Sequence, residues 1–443
     1  ADVIETLHHG KISTIAAVSG SEVSVPESAE LIHWPDTDRP TLKKQQQEIR
    51  SEIEEIDSKL NQLATFTEEI KALHIKIQQE QDFNVAAKGG IEQEKIFAIQ
   101  GWCPAAIAEN LATKLKDKEV DALVNRISPG EDEEPPTLIK YPAWVKPIKG
   151  LFNILGTVSG YREFDVGIPF MIALPIFAAI LIGDGGYGAI LCFGLSLVYK
   201  KAAKALGKEF TKLMIVVGAV TMVWGLICAT FFGVVLYKPL IPVNMTDESR
   251  NIMMTLSFYI GAVHLSVAQL WLAVRLAPSL KAVSKVGWAI FIWGVLGLVM
   301  MFVLGTAMNM ETPWPYLLMA GAALAIVFES PQKNIIKMLL MGLANFPLSM
   351  LSAFSDVISY VRLMAVGLAS GVLAASFNEM ALGIDFIPAT VIILILGHGL
   401  NLGLALIALF AHGVRLNMLE FSNNLGMQWS GYEYAPLAKR KIV

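Results

Sequence analysis

Charge is scarce in this sequence and unevenly spread. Asp, Glu, Lys and Arg make up 17% of the 443 residues, against 54% hydrophobic ones, and most of the charge precedes about residue 165. The net charge of −4 says nothing about nucleic acid, and no basic cluster suggests it. Three cysteines are present, Cys103, Cys192 and Cys228, in none of the spacings used for metal or redox chemistry, so they read as packing residues. The sequence has no GxxxxGK(S/T) and no GxGxxG after a strand, hence no ATP site of its own, and neither cofactor nor metal is expected. No cleavable signal peptide is visible in the opening ADVIETLHHG.

What fills the second part is apolar. Eight runs, at about 166–182, 186–199, 211–237, 252–275, 286–308, 313–329, 336–382 and 387–424, read as membrane spans. With the N-terminal part in the cytoplasm, the inner connections are KKAAKALGKEFTK, RLAPSLKAVSK, ESPQKNIIK and the C-terminal KRK. These carry thirteen Lys and Arg residues, against Lys238 and Arg250 on the outer side. That bias predicts an even number of spans with both ends cytoplasmic. The last two spans are too long for a simple crossing: about 45 residues reach ~68 Å, against a hydrocarbon core of ~30 Å. They must tilt, project, or bend (Pro347 offers a kink), and steep tilt suits a wall packed on a curved partner.

The N-terminal part divides by pattern. Residues 1–40 hold strand-like pieces, KISTIAAVS and EVSV, with a turn at SGSE, and read as part of an α/β lobe. Over 41–90, Ile49, Ile53, Ile56, Leu60, Leu63, Phe66, Ile70, Leu73 and Ile77 recur at a coiled-coil spacing. One helix cannot bury that seam alone, so a partner helix is expected, in another subunit or upstream of Ala1; we favour the second. Residues 91–130 read as a second α/β lobe: a strand in EKIFAIQGW, a helix in PAAIAENLATKLK, a returning strand in EVDALVNRI. Residues 131–165 are an acidic linker and an approach to the membrane, and 166–443 the membrane domain.

The seventh span carries one arginine, Arg362, near its middle, and the eighth carries Arg415. A guanidinium stays charged, and holding one at mid-membrane costs about 2.5–3.5 kcal/mol on insertion scales. Such a cost marks an ion path by default. A fixed cation lowers the pKa of a carboxylate brought beside it, driving off the bound ion, and repels any cation crossing directly. Two aqueous half-channels that do not meet would then oblige the ion to ride on a moving partner. Beyond Asp356 this chain has no mid-span carboxylate, so the carrier belongs on another subunit. The structural alternative for Arg362 is an ion pair with Asp356, six residues away on another face; for Arg415 it is snorkelling near the cytoplasmic end.

Helical spacing puts Ser352, Ser355, Ser359, Arg362, Val366, Ala369 and Leu373 on one stripe, and Asn401, Leu404, Ala408, His412 and Arg415 on another. Ser352, Ser355, Asp356 and Ser359 fall on the cytoplasmic side of Arg362; Ser370, Ser376, Asn378 and Glu379 fall outward. On the eighth span His398 and Asn401 lie outward of Arg415, and Glu420 lies cytoplasmic. Each has a plainer reading: close packing for the serines, a hydrogen-bonded neighbour for His398 and His412, solvated ends for Glu379 and Glu420. GDGGYG at 183–188 reads as a tight hairpin, with Asp184 capping the second helix.

GWCP at 101–104, PPTLIKYP at 135–142, GDGGYG, SYVRLMAVGLA at 359–369 and HGVRLNMLEF at 412–421 together resemble the membrane stator subunit of V-type and A-type rotary ATPases. That subunit is called a in eukaryotes and I in bacteria and archaea. The resemblance implies an α-helical polytopic membrane protein with cytoplasmic α/β lobes on a long coiled coil that binds peripheral stalks. An N-terminal lobe and outgoing helix would then precede residue 1. It implies that Arg362 faces the proteolipid ring with Arg415 as its partner, and that central-stalk and catalytic subunits engage indirectly. Ion translocation, of H⁺ or Na⁺, would be coupled to ATP turnover on those other subunits. Ser370 stands eight residues after Arg362, where eukaryotic members carry histidine, and Ala405 stands ten before Arg415 in place of glutamate. These departures point to a prokaryotic member in the plasma membrane. A self-contained secondary transporter would instead show inverted repeats and a midplane site on broken helices. A membrane scaffold would leave Arg362 merely paired.

Overall fold

The computed structural model describes residues 2–9, 12–18, 38–93, 96–243, 246–332 and 334–437. It divides into two units, residues 1–100 with 436–443, and residues 101–435. In the first, β1 (Asp2–His9) pairs antiparallel with β2 (Ile12–Val18). Only the second of these strands was legible in the sequence; EVSV and the SGSE turn lie outside the described residues. Helix α1 (Arg39–Lys88) runs unbroken for 50 residues from Pro40 in its first turn. None of its residues is buried, and its apolar seam stands open, Leu63 at 64% exposure. A short hairpin follows, β3 (Ile91–Gln93) with β4 (Ile96–Ala98).

The second unit opens on two short helices, α2 (Ala105–Ala108) and α3 (Leu111–Lys116), where the sequence suggested one. The returning strand expected in EVDALVNRI is not formed. Glu119 adopts φ 58°, turning the chain, and among the described residues no strand pairs with 120–127 to take up its backbone groups. Helix α4 (Ile148–Leu155) buries Ile148, Leu151 and Phe152 and ends on left-handed Gly156.

Among the described residues, five helices are long and apolar enough to cross a membrane. They are α8 (Lys208–Cys228), α9 (Asp247–Leu276), α10 (Lys281–Leu304), the stretch Ile335–Leu382, and α14 (Ile387–Asn424). Three other expected spans are shorter apolar helices, α5 (Gly167–Ile182), α6 (Gly185–Leu197) and α11 (Trp314–Phe328). The third span, read as reaching 237, stops at Cys228: left-handed Ala229 turns the chain into a hairpin of β5 (Thr230–Phe231) and β6 (Val234–Val235). Helix α7 (Tyr199–Leu206) carries three of the basic residues between α6 and α8. Of the charges that set the predicted topology, Lys333, Lys439, Arg440 and Lys441 lie outside the described residues.

Helix α5 is the axis of the unit. Phe170, Leu174 and Ala178 join one apolar cluster with α4, α8 and α14, while Phe177, Ile180 and Leu181 join a second with α9, α10 and the 335–382 helix. Two crossings are as close as backbones allow. A methyl group on Gly225 of α8 would overlap Gly185 of α6, and one on Gly367 would overlap the Ile180 carbonyl of α5.

The seventh span is two helices end to end, α12 (Ile335–Ser359) and α13 (Val361–Leu382). The break falls at Tyr360; Pro347 sits inside continuous helix. Tyr360 is fully buried, and its hydroxyl lies 2.7 Å from His264 Nδ1 on α9, so a tertiary contact fixes the joint two residues before Arg362. Helix α14 widens into π turns at Leu409–Gly413 and Leu416–Phe421, on either side of Arg415. Each extra residue rotates the faces that follow. The stripe expected from Asn401 to Arg415 is not one face: Asn401 is 1% exposed, whereas Leu404, ahead of either π turn, is 45% exposed and the Arg415 side chain 53%.

Candidate functional site: two polar clusters flanking a pair of arginines

Arg362 stands on the open side of α13. Ser352, Ser355, Ala369 and Leu373 along its stripe are exposed, and Ser359, Arg362 and Val366 are partly so. Ser352 and Ser359 donate back to the Leu348 and Ser355 carbonyls of their own helix, at 3.1 and 3.0 Å. Arg362 makes no ion pair among the described residues, and its Nη1 is buried without a hydrogen bond. The pairing with Asp356 weighed from sequence is not formed. His412, half-buried on the first π turn, stands three residues before Arg415 and feels the charge of both Arg362 and Arg415. Arg415 Nε stands 3.8 Å from Glu420 Oε1.

A buried polar cluster lies between α9, α12 and the end of α14. Asn424 is its hub. Its Nδ2 donates to Asp356 Oδ2 at 2.9 Å and to the Glu420 carbonyl at 2.7 Å, and its Oδ1 accepts from Gln269 Nε2 at 2.8 Å. His264 stacks on Phe421 at 4.4 Å. Of these residues, sequence reading had named Asp356 and Glu420. His264, Gln269, Tyr360 and Asn424 were missed, although a histidine and a glutamine in the apolar run GAVHLSVAQLWL are a visible signal.

A second network lies on the far side of the arginines, and the hydrogen bonds give it a direction. Asn401 Nδ2 donates to the Tyr187 hydroxyl at 3.0 Å, and Tyr187 lies 2.7 Å from His398 Nδ1. His398 Nε2 is 3.0 Å from Asn378 Oδ1, and Asn378 Nδ2 donates to the Phe232 carbonyl at 2.7 Å. With the His398 proton on Nε2, every member is satisfied. Asn401 also donates to the Ser370 carbonyl at 2.9 Å, and Ser370 Oγ donates to the Ile182 carbonyl at 3.0 Å. Ser370, His398 and Asn401 are thus brought together; Glu379 and Ser376 stay exposed and outside the network.

Asp184 anchors Tyr187. Its Oδ1 accepts from the backbone N–H of Gly186, Tyr187 and Phe232, and its Oδ2 accepts from Gly233, at 2.8–3.1 Å. The helix cap expected from GDGGYG therefore also clamps the 230–235 hairpin onto the network. Tyr187→Phe keeps the ring but removes the bridge between Asn401 and His398. It should cost about 1–3 kcal/mol, the penalty for stranding buried polar groups, seen as a lower melting temperature in detergent. An unchanged melting temperature would mean that the network contributes nothing to holding α6 against α14.

Known proteins resemble this chain over most of its length. The V-type ATPase 116kDa subunit family matches residues 27–246. A V-type ATP synthase subunit I of Borreliella burgdorferi is 32% identical over 416 residues, covering 87% of this chain and 68% of that one. A V-type ATP synthase subunit I of Treponema pallidum is 28% identical, covering 96% of this chain and 73% of that one. An A-type ATP synthase subunit I of Methanocaldococcus jannaschii is 24% identical, covering 88% and 63%.

Proposed function

The chain belongs to the V-type ATPase 116kDa subunit family, and we propose that it is the stator that carries H⁺ or Na⁺ past Arg362 onto a rotating proteolipid ring. It is a multi-pass membrane subunit of a rotary ATPase, non-catalytic in itself, with the other subunits of that complex as partners. In our reading eight spans cross the membrane with both ends cytoplasmic, two of the shorter apolar helices meeting in the GDGGYG hairpin. The cluster at Asp356, Glu420 and Asn424 serves the cytoplasmic half-channel. The network of Ser370, Asn401, Tyr187 and His398 serves the outer one. Arg362, supported by Arg415 and His412, separates them. The open seam of α1 takes a second helix of the same subunit to complete the coiled coil for the peripheral stalk.

One observation carries this reading. A permanent charge sits at mid-span on an open stripe of small residues, without an ion pair among the described residues, and polar clusters lie to either side of it. A charge so placed is stable only when a partner brings the countercharge.

The test is cross-linking in the intact, reconstituted complex with the three native cysteines replaced. Ala369→Cys and Leu373→Cys, on the open stripe, should form disulfides with a cysteine set beside the ring carboxylate. ATP hydrolysis should stop on oxidation and resume on reduction. Leu368→Cys, on the buried face, should not cross-link. Cross-links from Leu368 alone, or from no position in an assembled complex, would overturn the assignment.

A further inference from the structure

The cluster around Asn424 is short of one positive charge. Two of its members are acidic: Asn424 Nδ2 donates to the Asp356 carboxylate and to the backbone carbonyl of Glu420, which ties the two residues to one amide. Set against them is a single ion pair, Arg415 to Glu420 at 3.8 Å, whose cationic side is half exposed. The other ionisable groups facing the cluster are His264 from α9 and Tyr360 from the α12–α13 joint. Arg275, at the end of α9, is turned away onto the Phe164 ring. Arg362 pairs with neither carboxylate. Three buried atoms around the cluster make no hydrogen bond: Glu420 Oε2, Gln269 Oε1 and His264 Nε2, on side chains 4%, 8% and 9% exposed. Two of these are oxygens: one belongs to the Glu420 carboxylate, and the other, on Gln269, is two hydrogen bonds from Asp356 through Asn424. A buried carboxylate oxygen of Glu420 and the buried amide oxygen of Gln269, both left without donors, call for a cation.

We propose that Asp356 and Glu420, with Gln269 and Asn424, hold one monovalent cation, a proton or Na⁺, in a buried way-station that is loaded independently of the ring. The oxygens are hard donors suited to either ion, and the net charge of −1 sets the number at one. Its place on the ion path rests on the function proposed above; its existence as a binding site does not. Asn424 is the positioning residue, because it alone ties Asp356 on α12 to the Glu420 backbone on α14 and to Gln269 on α9.

The experiment uses the full chain in lipid nanodiscs, without ring or ATP, so a failed transport assay and a failed binding assay stay separate. In sodium-free buffer at about pH 6, two units above the ordinary carboxylate pKa of about 4, infrared difference spectra should show one protonated carboxyl more in the wild type than in Asp356→Asn. Glu420→Gln should lose the same band, since either change leaves one carboxylate balanced by Arg415. Raising sodium against a choline control separates the two ions. A band removed by sodium, with one equivalent of Na⁺ retained on dialysis, identifies a sodium site; an unaffected band identifies a proton site. If either variant fails to fold, Arg415→Gln gives the answer, because removing that countercharge should raise the bound cations from one to two. A band that survives in both carboxylate variants, or a wild type with neither protonated carboxyl nor bound sodium, overturns the proposal.

Discussion

Replacing Arg362 with alanine should abolish ion transport in the reconstituted complex while the complex still assembles. A cation within about 4–6 Å lowers a carboxylate pKa by 1–3 units, so its loss leaves the carrier in its neutral, loaded form and prevents release into the second half-channel. Folding should tolerate the change, because Nη1 makes no hydrogen bond and no ion pair within the described residues depends on this side chain. Removing a mid-span charge also relieves an insertion cost of about 2.5–3.5 kcal/mol. The measurement is ATP-driven acidification and sodium uptake in vesicles, beside ATP hydrolysis. The activity lost identifies the ion. Arg362→Lys should retain only part of the function, since an ammonium on a flexible stem loses its proton far more readily in an apolar setting than a guanidinium does. Transport at the normal rate in Arg362→Ala would remove the basis for the stator mechanism and leave a scaffold with a misplaced charge.

The second large effect is expected far from the arginines. Asp184→Ala should keep the chain from accumulating in the membrane. The carboxylate satisfies four backbone N–H groups from two hairpins, and it is 3% exposed. Stranding them at about 1–3 kcal/mol each consumes most of a typical folding free energy of about 5–15 kcal/mol. Within a bilayer there is no water to take over the bonds. Asp184→Asn is the informative comparison. Its amide oxygen can still accept the three N–H groups that converge on Oδ1, while its NH₂ faces the Gly233 N–H, so about 1–3 kcal/mol should be lost. Membrane-inserted chain and its melting temperature in detergent report both effects. An alanine variant that accumulates and melts like the wild type would show that the two hairpins hold together without the clamp.

Much of the secondary structure was legible because apolar runs and heptads are strong local signals. The 39–88 helix, the helical character of the apolar runs and the Asp184 cap each follow from side-chain types at short spacing. What failed was local in a different way. A strand in EVDALVNRI needs a neighbour that no spacing can supply, and the third span was overrun because 229–235 is as apolar as the helix before it. Of the site, the two arginines, Asp356, Glu420, His398 and Asn401 stood out as polar residues in apolar surroundings. His264, Gln269 and Tyr187 stood out no less, but one lone polar residue does not reveal its partner.

The sequence by itself determined which segments are apolar helices and where the lone arginines fall within them. These depend on composition and spacing within one segment. Only the tertiary structure decided that Asn424 joins three helices, that Tyr187 and His398 belong to one network, and that Asn401 is buried while Arg415 faces out. A helical period says which residues share a face. Which face meets which neighbour is settled by packing between segments far apart in the chain, and one extra residue in a turn rotates everything beyond it.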